Sequence, residues 1–466
     1  MRLRRGRRST RAGVATLVVL ALGLGLGACT EDGDPPAPEP TRAAPPVRLL
    51  FGVWGADEEV TAYQAMVDTY NDRSEDSQVE LRSWDDREDL ADALRAGGKV
   101  PDVFLTSRRD LRWLVEEGLT QPVDELLDER GTEFGDNYSR DALRAFSADT
   151  RLQCMPYGVS PTVVFYNTRL VDFEKMRNRE LPAPSDPDDT RWSFEEFVTA
   201  ADFATRPRKK VRGVHVEPTL TGLAPFVESG GGSVFNDETD PTSTAFSSDG
   251  SREALTRALE LLRNPQLTLT DSQLQRATPQ EWFERGRLAM MTGDRSLVPQ
   301  LRQVPGLQFD VMPIPTLGSY ATVGDITGLC LSKAAASTAE GADFLVHATS
   351  TEAVARVVRA GYLVPANLEV AYSDVFNQPS RLPAHASVFT DSIRALRVPP
   401  LLSTWDELET AVRDDIRSLV TSAPALDLEA VTEQIDLDSQ RVLDPDFEEP
   451  TESPSPTDEE SEESEE

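Results

Sequence analysis

The stretch VRLLFGVWGADEEVTAYQAMVDTYN, residues 47–71, sets the architecture. Its first part, VRLLFGVWG (47–55), is an apolar run of the length of one buried strand. After Gly55 the period changes, and Val60, Tyr63, Val67 and Tyr70 recur at helical spacing. VELRSW (79–84) reads as a second strand. The helix after it opens with Asp85 and Glu88, a capping-box-like pair, buries Leu90 and Leu94, and ends at Gly97-Gly98. PDVFLTS (101–107) is a third strand; Leu111, Leu114 and Val115 mark a helix that stops at Gly118. Strands and helices that alternate across short joints predict parallel βαβ units and a doubly wound α/β sheet. Such sheets bind ligands at the carboxyl ends of their strands, here Trp54-Gly55, Trp84-Asp85 and Thr106-Ser107-Arg108.

Downstream the pattern is mixed. QCMPYGVSPTVVFYN (153–167) is strand-like but interrupted by Pro156 and Gly158, and Ser193 with Glu196 opens a capped helix. GVHVEP (213–218) is a short strand and ESGGGSVFNDETD (228–240) a glycine-rich loop. A helix lies around 251–263, followed by EWFERGRLAMMTGD (281–294), QFDVMPIP (308–315) and the strand GLCLSK (328–333). Helices fill most of 335–361 and 404–420.

Upstream, six arginines between Arg2 and Arg11 precede an apolar run from Ala12 to Gly27, which is the pattern of a secretory signal. The run is too short and too rich in Gly and Ala for a comfortable membrane span. Leu26-Gly27-Ala28-Cys29 resembles a bacterial lipobox, which implies cleavage after residue 28 and lipidation of the Cys29 thiol. An ordinary signal with an incidental cysteine is the alternative that composition and position disfavour. Residues 29–46 are a proline-dense tether and 443–466 include an acidic tail, PTESPSPTDEESEESEE, without Lys or Arg.

Composition excludes several classes. The formal net charge is −33, and loss of the signal makes the remainder more acidic, so nucleic acid is not a natural partner. There is no CxxC or HExxH, and His215, His347 and His385 lie far apart, so neither a metal nor another cofactor is expected. Three cysteines, Cys29, Cys154 and Cys330, fit an exported chain.

Seven local stretches, in this order, resemble the family 1 extracellular solute-binding proteins of ABC importers, which include maltodextrin-binding proteins. They are VWGADEEVTAYQAMVDTYN, GGKVPDVFLTS, MPYGVSPTVVFYNTRLV, EWFERGRLAMMTGD, DVMPIP, GLCLSK and VVRAGYLVPANLEV. The resemblance runs from about Val47 to Arg441. It implies a two-lobe periplasmic-binding-protein-like fold with an interlobe cleft and a hinge of crossing segments. Residues 47–154 and 331–376 would form the first lobe, 155–330 and 377–442 the second. It also implies a monomeric, lipid-anchored receptor that closes on a small solute, most simply a carbohydrate, and presents it to permease subunits, with no bond chemistry.

Sugar recognition needs flat rings against pyranose C–H faces and polar groups on the hydroxyls. The residues that the fold would bring to the cleft are Trp54, Ser107, Arg108, Tyr157, Glu228, Gly231, Asp294, Asp325 and Trp405. Trp54 divides evenly between core and site. Asp57 is weighed as a ligand acceptor but favoured as an N-cap, Asp102 reads as structural, and Trp282 is as readily core as site. Cys154 and Cys330 flank crossing segments that lie side by side in this fold; they could form a disulfide or remain two buried thiols. Two rival functions stay open. One is a secreted glycoside hydrolase, because 80 acidic residues supply many carboxylate pairs; the other is a sensing lipoprotein of the same fold without a transporter.

Overall fold

The computed structural model describes residues 45–132, 134–185, 190–421 and 425–447. The signal segment, Cys29, residues 29–44 of the tether and the tail from 448 lie outside the described residues.

The opening stretch folds as strand β1 (Val47–Trp54) and helix α1 (Asp57–Asn71). β2 (Ser77–Trp84) pairs parallel with β1 along its whole length, Val47 opposite Ser77 and Trp54 opposite Trp84. On its other side β1 pairs parallel with β3 (Val103–Ser107). Gly52 is required at this junction, because a Cβ there would lie 2.6 Å from Pro101 Cγ. α2 (Arg87–Arg95) is capped one residue later than expected: Asp86, not Asp85, accepts the Asp89 amide. α1 corrects a second capping expectation. Its N-cap is Ala56, with no side-chain cap, and Asp57 is the exposed first helical residue, where its charge favours the helix dipole.

Parallel pairing does not extend through the molecule. β4 (Cys154–Pro161) and β5 (Val163–Asn167) are nearly continuous but belong to different sheets. Pro156 and Gly158 do not break β4. Instead the register with the later strand β9 (Thr322–Ser332) slips between Thr327 and Gly328, which face Gly158 and Pro156. Tyr157 is the extra residue of that bulge, a normal device for a strand that must carry a proline. β9 runs antiparallel to both β3 and β4.

The second sheet is mixed, in the order β8-β5-β7-β6, where β6 is Arg212–His215, β7 Leu288–Gly293 and β8 Phe309–Pro313. β5 is antiparallel to both neighbours, and only β7 and β6 run parallel. The architecture is therefore α/β with two lobes, but its sheets are mixed rather than parallel throughout. α4 (Phe194–Ala204) keeps the expected capping box of Ser193 and Glu196.

Two hydrophobic cores result. The first gathers Phe51, Tyr63, Phe104, Leu111 and Phe344 around the first sheet. The second gathers Val164, Phe197, Leu223, Met290 and Trp405. Cys154 and Cys330 are register partners on β4 and β9, joined as a disulfide with Cα atoms 4.2 Å apart. A disulfide typically stabilises by about 2–4 kcal/mol.

The chain closes with α9 (Trp405–Val420) packed on α10 (Leu428–Leu443), taking the labels after α5 (Leu220–Ser229), α6 (Asp249–Leu262), α7 (Thr338–Thr349) and α8 (Thr351–Val358). Burial, with Asp438 beside it, pushes the Asp415 carboxyl up to about 6. A carboxyl raised on folding stabilises most below its unfolded value, near 4. That contribution is lost as pH rises from about 4 to 6. Asp415→Asn should therefore raise the melting temperature at pH 7.5, and the gain should shrink on lowering the pH through 5, as calorimetry at several pH values can check.

Candidate functional site

Three of the expected residues gather where β3 ends beside β9. Ser107 ends β3 and caps α3 (Arg108–Glu116) by accepting the Arg109 amide at 3.1 Å. Its hydroxyl donates to Asp325 Oδ1 at 2.7 Å. Asp325 also accepts its neighbour's amide, from Ile326, and burial pushes its carboxyl up despite these bonds. Arg108 Nη1 donates to the Pro400 carbonyl at 3.1 Å, while its Nε is buried without a partner. Burial lowers the Arg108 guanidinium to about 10, and Asp325 opposes that shift.

Opposite these ends stands the start of α9, whose apolar face belongs to the second core. Trp405 is 4% exposed, edge-on to Phe235, and the Arg109 guanidinium lies 5.3 Å from its ring centroid. Arg109 also pairs with Glu409 at 3.3 Å. Arg87 bridges Asp110 at 2.7 Å and Asp406 at 3.1 Å, and Arg95 reaches Asp406 at 3.3 Å. α2 and α3 of the first core are thus clasped to α9 of the second by charge pairs. Trp54 lies beside Arg87, Thr106, Asp110 and Trp113, and its buried Nε1 has no partner.

A second group gathers where α1 begins. Gly55 has φ +142, and a Cβ there would lie 2.5 Å from Glu59 Oε2. Glu59 is partly exposed, and no hydrogen bond or ion pair engages its carboxylate among the described residues. Burial raises the Glu59 carboxyl to about 7, with the Asp294 charge adding to it. Asp294, just past β7, accepts from Ser296 N and Oγ through Oδ1. Tyr362 donates to Glu58 Oε2 at 3.1 Å. Tyr157 is 1% exposed, its ring 6.0 Å from that of Tyr63, and neither hydroxyl has a hydrogen-bond partner among the described residues.

The structure therefore joins Ser107 to Asp325 and, through Arg109, the neighbouring helix start to Trp405, while Tyr157 packs against Tyr63 and Asp294 is held by Ser296. Glu228 and Gly231 lie at the start of the loop that carries Phe235 to Trp405. Glu228, at the end of α5, accepts the Val234 amide at 3.0 Å; burial raises its carboxyl and Arg397 opposes the rise. Gly231 has φ +93, and its neighbour Gly232 lies against Ser251 at the start of α6, so the glycine run also serves packing. Asp102 is structural, accepting the Leu50 and Ala336 amides. Trp282 is part-buried and donates to the Gln273 carbonyl.

Sequence reasoning missed Glu59, Arg109 and Asp406. The signal for Glu59 was present as Asp57-Glu58-Glu59, but three acids at a helix start read as dipole complement. Among the described residues no His, Cys, Asp and Glu group could hold a metal ion.

Residues 65–384 match the family of bacterial extracellular solute-binding proteins. Solved structures agree with the fold. The ABC substrate-binding protein Lmo0181 from Listeria monocytogenes, in complex with cycloalternan, superposes with a TM-score of 0.71 at 18% identity, covering 85% of this chain and 98% of that one. The GacH receptor of Streptomyces glaucescens, solved unliganded and with acarbose, gives 0.69 at 14% identity, with 85% and 98% covered. The sugar-binding protein MalE from Xanthomonas citri gives 0.69 at 16% identity, with 85% and 97% covered. A search among curated proteins returned no match. The match across most of the chain defines the class: the protein belongs to the bacterial extracellular solute-binding proteins, so its place is extracytoplasmic and its task is to bind a solute.

The clasp on α9 makes a direct prediction. Exposed ion pairs contribute about 0–1 kcal/mol each. Asp406→Asn combined with Glu409→Gln should lower the melting temperature by only a few degrees yet enlarge the radius of gyration in solution scattering, and about 0.5 M salt should do the same to the parent protein.

Proposed function

We propose that the protein is a lipid-anchored receptor that captures a saccharide between its lobes and delivers it to the permease of an ABC importer. The observation that carries this is the meeting of Ser107, Arg108 and Arg109, where β3 passes into α3, with Asp325, the Pro400 carbonyl and Trp405: Ser107 donates to Asp325, Arg108 to Pro400, and Arg109 lies over the Trp405 ring. Charged hydrogen-bonding groups beside a tryptophan face are what a pyranose needs. The ligands named for the similar structures, cycloalternan and acarbose among them, support a saccharide. The relatives are binding proteins, which supports a role without bond chemistry.

In this reading Trp54, Ser107, Arg108, Tyr157, Glu228, Gly231, Asp294, Asp325 and Trp405 line the cleft. The lobes divide at 47–154 with 331–376 and 155–330 with 377–442; the change of sheet falls a few residues after the first of these boundaries, between Pro161 and Val163, and Thr322–Ser332 still pairs in the first sheet. The Cys154–Cys330 bridge is the native state outside the cytoplasm, where thiols oxidise. The receptor works as a monomer, tethered through Cys29.

A thermal-shift screen over mono- and oligosaccharides tests the function. A solute present at 100 times its Kd stabilises the native state by about 2.7 kcal/mol, a shift of several degrees. Arg108→Gln should weaken that solute by about 10- to 100-fold, the loss of one charged hydrogen bond. Turnover of the saccharide would support a hydrolase instead. Cys29→Ala should release the protein from the membrane fraction or block its processing; a variant that stays membrane-bound and is cut at the same bond contradicts the anchor.

A further inference from the structure

Arg295, just past β7, is the largest fully buried side chain among the described residues. Its Nε donates to the Gly361 carbonyl and its Nη2 to the Phe376 carbonyl, both at 3.0 Å. The guanidinium lies 4.4 Å from the Phe376 ring centroid and 5.2 Å from that of Phe389. Its Nη1 is buried and has no hydrogen-bond partner among the described residues. Beside it stands Arg302, on the helix Leu297–Gln303. Arg302 donates through Nη1 to Gln378 Oε1 at 2.7 Å and through Nε to the Leu382 carbonyl, while its Nη2 is likewise buried without a partner. Gly361 joins the two groups. Its carbonyl takes Arg295, and a Cβ built on it would lie 3.2 Å from Arg302 Nη1. Arg381 adds a third cation, donating to the same Gln378 Oε1 at 3.4 Å.

Nothing negative answers these charges. Among the described residues no Asp or Glu forms an ion pair with Arg295, Arg302 or Arg381. Asp294, the neighbour in sequence, turns its Oδ1 to Ser296 instead. Burial, with the Arg302 and Arg381 charges adding to it, lowers the Arg295 guanidinium to about 9; burial, with Arg381, lowers Arg302 to about 10. Both therefore stay charged at neutral pH.

We propose that a small inorganic anion, chloride, is enclosed between Arg295 Nη1 and Arg302 Nη2 and fastens the end of β7 to the segment 361–382. The inference does not depend on which solute the protein carries.

A charge taken out of water persists only with a partner. The carbonyls and the phenylalanine faces replace part of the lost hydration, but they are neutral, and two guanidiniums side by side still repel. A monovalent anion removes that repulsion and accepts from both open N–H groups, in charge-assisted bonds about twice as strong as neutral ones. Asn377, between Phe376 and Gln378, has a buried Oδ1 that also lacks a donor. A water joining it to a guanidinium would satisfy hydrogen bonds and leave both positive charges unanswered. Because neither nitrogen is open to solvent, the occupant is an ion held within the fold and not a group on the solute.

The test uses the full chain at pH 7.5, with sodium gluconate exchanged stepwise for sodium chloride at fixed ionic strength. Gluconate is too large for the enclosed position. The melting temperature should rise saturably, by about 2 °C or more, between roughly 1 and 100 mM chloride. Arg302→Gln should abolish that dependence. Arg295→Met should do the same, and Arg302→Gln carries the test alone if Arg295→Met does not fold. A crystal grown in sodium bromide should show anomalous scattering between the two nitrogens. Equal melting temperatures in the two salts overturn the proposal. So does a chloride effect that survives in Arg302→Gln, which would arise at the surface, and so does a bromide crystal with only water at that position.

Discussion

Strand β9, Thr322–Ser332, is the constraint on which the rest depends. One of its hydrogen-bonding edges holds β3 and the other holds β4. Its first residues pair with a short strand at Leu396–Arg397 that leads to α9. The same strand carries Asp325 to Ser107 and Cys330 to Cys154. Its register therefore fixes the covalent bridge, the height of the polar strand ends, and the position from which α9 meets Arg87 and Arg109. A slip of one residue would turn Asp325 away from Ser107 and Cys330 away from Cys154.

Much of this was legible in the sequence, for physical reasons that also mark where legibility stops. The change from a strand run to helical period at Gly55 follows from burial, and burial is what periodicity reports. The Ser193–Glu196 box was readable because both halves of the motif are local. Strand direction was not, because β5 and β9 owe their antiparallel pairing to contacts far away in the chain. The sequence puts the cap of α2 one residue early, since Asp85 and Asp86 are equally good caps and only backbone geometry separates them. Tyr157 reads as a ring at a crossing. The bulge opposite Thr327–Gly328 is what turns it inward against Tyr63.

At the site, residue types were readable but their partners were not. Ser107 and Asp325 satisfy each other, and Trp405 is covered by Arg109, so a solute must displace or join contacts already made. The start of α9 is held by paired charges. At α9, acids and arginines neutralise one another: Arg87 meets Asp406 and Arg109 meets Glu409. Such pairs near the surface cost side-chain freedom and return a small net gain.

The central claim is that a saccharide closes two lobes that charge pairs alone hold weakly. Small-angle scattering of the full chain, with and without the saccharide that raises its melting temperature most, addresses that directly. The account predicts a smaller radius of gyration with the saccharide, and the same final value in high salt, where the clasp is screened but the ligand bridge remains. An unchanged radius at saturating saccharide, or a ligand whose bonds are cut during the measurement, contradicts it.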